Sequence, residues 1–157
     1  MKLKLLAVGK TNQDFVQKGI DEFAGRIKHY LPFELEILPD IKNTRNLNQL
    51  QIKEKEGEII LKHIRPEDYV VLLDEKGKEF TSVQFAGYIE KKTHTVSKQL
   101  VFVIGGAYGF SEAVYQAAQE KIALSKMTFS HQLIRLIFIE QVYRAMTILS
   151  NEPYHHE

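Results

Sequence analysis

Five short runs of large apolar and β-branched residues punctuate the sequence, and a segment of helical character follows each one. "LKLLAV" (3–8) reads as a first strand, closed by Gly9. A helix to about Tyr30 follows, with Phe15, Val16, Ile20, Phe23, Ile27 and Tyr30 at helical spacing. Thr11 with Asp14 three residues on predicts a capping box at its start, and Pro32 ends it. "FELEIL" (33–38) alternates as a second strand, 39–46 reads as a loop, and a charged second helix runs from about Leu47 to His63. "YVVLLD" (69–74) is a continuous apolar run, as expected of a strand covered on both faces. "EKGK" (75–78) reads as a turn, and Thr81 or Ser82 caps a third helix to about Lys92. "LVFVI" (100–104) is the fourth strand, Ser111 caps a short helix to about Glu120, and "KIALS" (121–125) is the fifth strand. A long final helix covers "QLIRLIFIEQVYRAMTILS" (132–150). Strict alternation points to an α/β fold, a mostly parallel sheet with helices on both faces. Ligands of such sheets bind at the carboxyl ends of the strands, where the topology changes direction. Three of those ends carry unusual residues: Leu73-Asp74, Gly105-Gly106 and Leu124-Ser125.

The fourth strand runs directly into "GGAYGFS" (105–111). Glycine lets another group approach the backbone closely, and the helix start that follows offers free N–H donors. This stretch is either a ligand cradle or a tight strand-to-helix turn with no ligand, and spacing alone does not decide. It is a poor dinucleotide fingerprint: Ile104 stands where a glycine is needed, and it follows the fourth strand rather than the first. "SKMTF" (125–129), about 20 residues on, offers no acid to hold a ribose. No Gly-Lys-Ser/Thr follows either, so nicotinamide and NTPase chemistry are disfavoured.

Composition narrows the rest. A chain of 157 residues suggests one domain with a single good core. A net charge of +1 predicts no general pull toward nucleic acid or anionic membrane, while leaving room for a local basic patch. Without cysteine there is no disulfide framework, thiolate zinc site or cysteine nucleophile. The apolar runs are too short to span a bilayer, the N-terminus lacks a signal peptide's long apolar region, and a cytoplasmic location fits.

The final helix carries apolar residues at almost every angle of its wheel, and a helix apolar all round is buried all round. A partner subunit would supply that cover, so a two-fold homodimer is expected; the alternative is a helix sandwiched within one subunit. Arg135, Glu140, Gln141 and Arg144 interrupt it. Glu140 and Arg144 sit at i,i+4 and either pair or present an arginine for phosphate. The ending "NEPYHHE" reads by composition as a solvated tail. His155 and His156 lack a third ligand, so no metal site is expected. His29, His63, His94 and His131 show no ligand spacing.

Taken together, "VFVIGGAYGFSE", "LSKMTFSHQLIRLIFIEQVYRA" and the terminal "NEPYHHE" closely resemble the SPOUT-class RNA methyltransferases, and more narrowly the ribosomal RNA large subunit methyltransferase H family. "MKLKLLAVGK" and "YVVLLDEKGK" match as well, so the resemblance spans nearly the whole chain. It implies a single SPOUT methyltransferase domain over 1–157 with a C-terminal deep trefoil knot, an exception to the avoidance of knots. It also implies a homodimer that binds S-adenosyl-L-methionine and methylates N3 of a pseudouridine in large-subunit (23S) rRNA on the assembled ribosome. By the same resemblance, Leu73, Gly105, Leu124, Ser125, Lys126, Met127, Thr128 and Phe129 form the cofactor pocket. Pseudouridine N3 must lose a proton, which makes a general base useful; His155, and after it Glu157, are the candidates. Tyr154 is placed to stack on a base and Arg144 to hold a phosphate, with the tail ordering only when RNA or cofactor is present. His156 stands where arginine is common in the family, which implies weaker or pH-dependent RNA affinity there. A SPOUT enzyme acting on tRNA and a catalytically silent, ribosome-binding dimer are the competing readings.

Overall fold

The computed structural model describes residues 1–156, and Glu157 lies outside the described residues. Five strands form one sheet: β1 (Lys2–Val8), β2 (Phe33–Leu38), β3 (Tyr69–Glu79), β4 (Gln99–Ile104) and β5 (Glu120–Ala123). Their order is β2-β1-β4-β3-β5, and every pairing is parallel. Five helices connect or follow them: α1 (Asp14–Ile27), α2 (Gln49–Lys62), α3 (Ser82–Thr95), α4 (Glu112–Ala117) and α5 (Leu133–Leu149). This is the α/β arrangement expected from the alternation.

Side chains alternate across a strand, and the sheet therefore builds two cores. Leu3, Leu5, Val71, Leu100 and Phe102 face one layer, where α1 and α3 flank α5. Leu6, Val70, Leu72, Val101 and Val103 face the other, where α2 packs on α4. The central strands β4 and β3 are apolar on both faces because both faces are covered.

Several local expectations change. Thr11 does not cap α1; the helix begins after Gln13 with no side-chain cap, and the Thr11 hydroxyl instead accepts from Arg135. Capping boxes do form at Asn48 with Gln51 and at Thr81 with Gln84. Residues 75–78 are not a simple turn. β3 runs on to Glu79 after a register shift between Leu73 and Lys78, and both halves pair with β5. Gly77 is required there, because a Cβ would lie 2.5 Å from the Ile122 backbone.

No residue of α5 is exposed within the one chain, because α1 and α3 cover it from two sides. All-round apolarity is thus largely explained inside the subunit, and the inference to a partner loses most of its force. The tail also differs from expectation. Tyr154 donates to Glu140 at 2.9 Å and packs on Tyr143, while His155 Nδ1 lies 3.1 Å from Arg144 Nη1. These contacts come from the chain's own side chains. Among the described residues no helix is long and apolar enough to cross a membrane.

Candidate functional site

The register places the unusual strand ends side by side. Leu73 pairs with Ile104 on one flank and with Ile122 on the other. The residues just beyond, Gly105 on β4 and Leu124 on β5, therefore gather around Leu73 at one edge of the sheet. A cleft of about 560 Å³ opens there, lined by Leu73, Gly105, Gly106, Tyr108 and Phe129 among others. A smaller cavity of about 110 Å³ adjoins it, lined by Leu73, Leu124, Ser125, Lys126, Met127, Thr128 and Phe129. The two share Leu73, Asp74, Glu75, Phe129 and Ile134. All eight residues expected around a cofactor thus line one continuous depression.

Its shape comes from backbone chemistry. Gly109 has φ +84°, a left-handed conformation that favours glycine, and its N–H closes a turn onto the Gly106 carbonyl at 3.2 Å. In the 124–129 loop, the Ser125 hydroxyl accepts from the Met127 N–H at 2.9 Å, and Met127 is 78% exposed. The glycine pair has a second reason to be glycine. A Cβ on Gly105 would lie 2.9 Å from the Phe110 ring, and one on Gly106 would run into the Glu56 carboxylate. The turn is packed from behind by the chain's own side chains, and what it offers the cleft is backbone.

The cleft also carries charge, at the Leu73-Asp74 strand end already singled out and at Glu75 after it. Asp74, at the end of the regular part of β3, accepts from the Tyr115 hydroxyl and from the Lys76 N–H at 2.8 Å. Burial, then the Asp74 bond, pushes the Tyr115 hydroxyl up to about 12, so it stays a donor at neutral pH. Glu75 lies beside Asp74 in the same wall. Behind the turn, burial and the nearby Asp40 raise the Glu56 carboxyl above its ordinary value, and its Oε1 is buried without a hydrogen-bond partner.

Arg135 is the other residue whose place could not be read from the helix pattern. It is fully buried. It donates to the carbonyls of Val8 (2.8 Å), Gly9 (2.6 Å) and His131 (3.1 Å) and to Thr11 Oγ1 (2.9 Å). It therefore ties the end of β1 to the first turn of α5, next to Ile134 in the cleft.

The tail candidates form a separate cluster. Arg144 donates to Glu140 at 2.6 Å, its guanidinium lies 4.7 Å from the Tyr154 ring centre, and it faces His155. Arginine has no acceptor, so Nδ1 is the accepting nitrogen of His155. Burial and the bond to Glu140 raise the Tyr154 hydroxyl above its ordinary range. Both Arg144 and Tyr154 bond Glu140, which lies six residues beyond Ile134, about 9 Å along α5. Glu157 belongs to the part of the tail outside the described residues.

A family model described as "Predicted SPOUT methyltransferase" matches residues 1–155. A protein of Parabacteroides distasonis named ribosomal RNA large subunit methyltransferase H is 68% identical over the full length of both chains. Relatives of the same name from Bacteroides thetaiotaomicron and Flavobacterium johnsoniae are 58% and 55% identical, again over the full length of both. The fold also matches a crystal structure titled a probable methyltransferase from Bordetella pertussis Tohama I. The TM-score is 0.57 at 10% identity, with 92% of this chain and 94% of that one covered.

Proposed function

The chain belongs to the SPOUT methyltransferase family, and we propose that it moves a methyl group from S-adenosyl-L-methionine to N3 of a pseudouridine in large-subunit rRNA, acting in the bacterial cytoplasm on the assembled ribosome. The name shared by its full-length relatives supports rRNA as substrate. The observation that carries the site is the convergence of Leu73, Gly105 and the 124–129 loop on one depression. We assign the knot of the family to the C-terminal segment that shapes this loop, within one SPOUT domain spanning 1–157.

The residues present suit the cofactor. Leu73, Leu124, Phe129 and Ile134 offer apolar walls for an adenine, and Gly105 and 124–129 offer backbone groups for its edge. Asp74 and Glu75 supply negative charge in the same depression, which suits the sulfonium and the α-ammonium of the cofactor. When bound, the cofactor supplies an electrophilic sulfonium methyl for in-line displacement. The protein's part is to hold, orient and dehydrate.

We infer a homodimer, as the resemblance to the family implies, in which each cleft is completed by the tail of the partner subunit. In that arrangement Tyr154 stacks on RNA, Arg144 meets a phosphate, and His155 or Glu157 manages the N3 proton. His155 takes a proton at Nδ1 only after Arg144 lets go, since that nitrogen accepts from the guanidinium.

Calorimetric titration with S-adenosyl-L-methionine, run beside a measurement of mass in solution, tests the pocket and the dimer together. Mass spectrometry of 23S rRNA from a deletion strain tests the substrate. Micromolar binding by a dimer and loss of one methylated pseudouridine are expected. Loss of a tRNA methyl group instead would refute the rRNA assignment, and absent binding would refute the pocket.

A further inference from the structure

A cavity of about 500 Å³ lies between α3 and β5, the strand at the sheet's edge. Lys78, Lys91 and Lys121 line it, each exposed, and none of the three forms an ion pair among the described residues. Its one acidic lining residue, Glu120, is already held by the Tyr88 hydroxyl and by Lys92 at 3.1 Å. Three positive charges therefore stand uncompensated around one pocket in a chain whose net charge is only +1.

The wall between them is aromatic. Phe80 and Tyr88 are half-buried with ring centres 5.2 Å apart, and Lys78 Nζ lies 5.2 Å from the Phe80 ring centre. Gly87 of α3 also lines the cavity, and a Cβ there would meet nothing within 4 Å. Glycine inside a helix costs about 1 kcal/mol relative to alanine, and the packing of this chain does not ask for it. A lysine on an edge strand guards against strand pairing, which accounts for Lys121. The same reason reaches Lys78, in the half of β3 that pairs with β5 alone, but it does not account for Lys91 on α3.

The cavity is continuous with the site already described. Phe80 and Ile122 also line a neighbouring cavity of about 250 Å³, and that one shares Leu124 and Phe129 with the methyl-donor pocket. Cations flanking aromatic faces are the chemistry of single-stranded RNA binding: the cations take phosphates and the rings stack bases.

We propose that the pocket between α3 and β5 holds single-stranded rRNA that flanks the target nucleotide, with Lys78, Lys91 and Lys121 on its phosphates and Phe80 and Tyr88 against a base. This rests on the rRNA reading above. The test compares the wild type with Lys78→Glu/Lys91→Glu/Lys121→Glu for binding to purified ribosomes across a salt series, with S-adenosyl-L-methionine affinity measured alongside. Single-strand phosphate contacts contribute about 0.7 each to the slope of log affinity against log salt. The variant should therefore lose roughly 2 from that slope and at least about tenfold in affinity at low salt, with cofactor binding unchanged. Gly87→Leu, which fills the pocket without adding charge, should weaken ribosome binding while leaving the fold and cofactor binding intact. The chain has no cysteine, so Lys91→Cys gives a unique attachment point for a photo-crosslinker, and the expected adduct is 23S rRNA. A wild type that does not bind ribosomes fails the functional reading and this one together. A wild type that binds, with a triple variant of equal affinity and salt slope, overturns this proposal alone. A crosslink to a ribosomal protein in place of rRNA overturns the assignment to RNA.

Discussion

Arg135→Met should unfold this protein far more readily than its place in an apolar helix suggests. The guanidinium is fully buried and makes four hydrogen bonds, three of them to backbone carbonyls. Methionine keeps most of the stem and loses every donor. His131 and Thr11 have access to water and can be resolvated, whereas Val8 and Gly9 are buried and their carbonyls would be orphaned. An unsatisfied buried acceptor costs about 1–3 kcal/mol, so two cost about 2–6 kcal/mol. Against this stands relief from burying a charge, a burden visible in the way burial lowers the Arg135 pKa. The net loss is about 3 kcal/mol. With a urea m-value near 2 kcal/mol/M for a domain of this size, the midpoint should fall by about 1.5 M. Arg135→Lys retains one charged donor and should lose about half as much. A double-mutant cycle with Thr11→Val should give a coupling of about 1 kcal/mol, which separates the bond from general packing. A loss below about 1 kcal/mol for Arg135→Met would refute the reasoning, since it would mean the two carbonyls find other partners.

Gly77→Ala should cost at least about 2 kcal/mol in chemical denaturation, because its Cβ would lie 2.5 Å from the Ile122 backbone, which is not a movable side-chain end; a near-neutral result would disprove the close approach of β3 to β5. Glu56→Gln should stabilise the protein at neutral pH. The carboxyl is raised in the fold by burial and Asp40, so its protonated form favours folding. That contribution is complete below the ordinary value of 4.5 and is lost as pH rises through the raised one. The gain of the variant over wild type should grow across that rise, and a gain independent of pH in urea titrations would reject the assignment. Tyr154→Phe removes the bond to Glu140, worth about 1 kcal/mol. Amide exchange over 154–156 should then quicken about fivefold, and unchanged protection would mean that another contact holds the tail.

Much of the fold was legible because it depends on local pattern. The continuous apolar runs at 69–74 and 100–104 specify strands buried on both faces, and those strands are the centre of the sheet. The extended β3 was not legible. "EKGK" has turn composition, and only the Ile122 backbone lying against Gly77 shows why the chain stays extended there. Asp74 was visible at a strand end, yet nothing local announces Tyr115 as its partner, 41 residues away. Arg135 was legible only as an interruption of an apolar helix, because three of its four acceptors lie more than 120 residues earlier.

The glycine turn shows how a packing demand and a chemical one come to share the same residues. The Phe110 ring lies in the space a Cβ of Gly105 would take and the Glu56 carboxylate in that of Gly106, so a side chain at either position would have to displace its neighbour. Those side chains approach from the core and from α2, while the turn lines the cleft together with Leu73 and Phe129. A ligand that binds through backbone groups needs the donors in place before it arrives. The parallel register does the rest. It sets Leu73, Ile104 and Ile122 abreast, so three loops that are distant in sequence leave the sheet at one level and enclose one space. The tail is anchored on α5 beyond them, where the ion pair of Arg144 with Glu140 and the Tyr154 bond meet on one carboxylate. The fold thus gathers three strand ends around one depression and holds the Tyr154 and His155 side chains against Arg144 and Glu140 on α5.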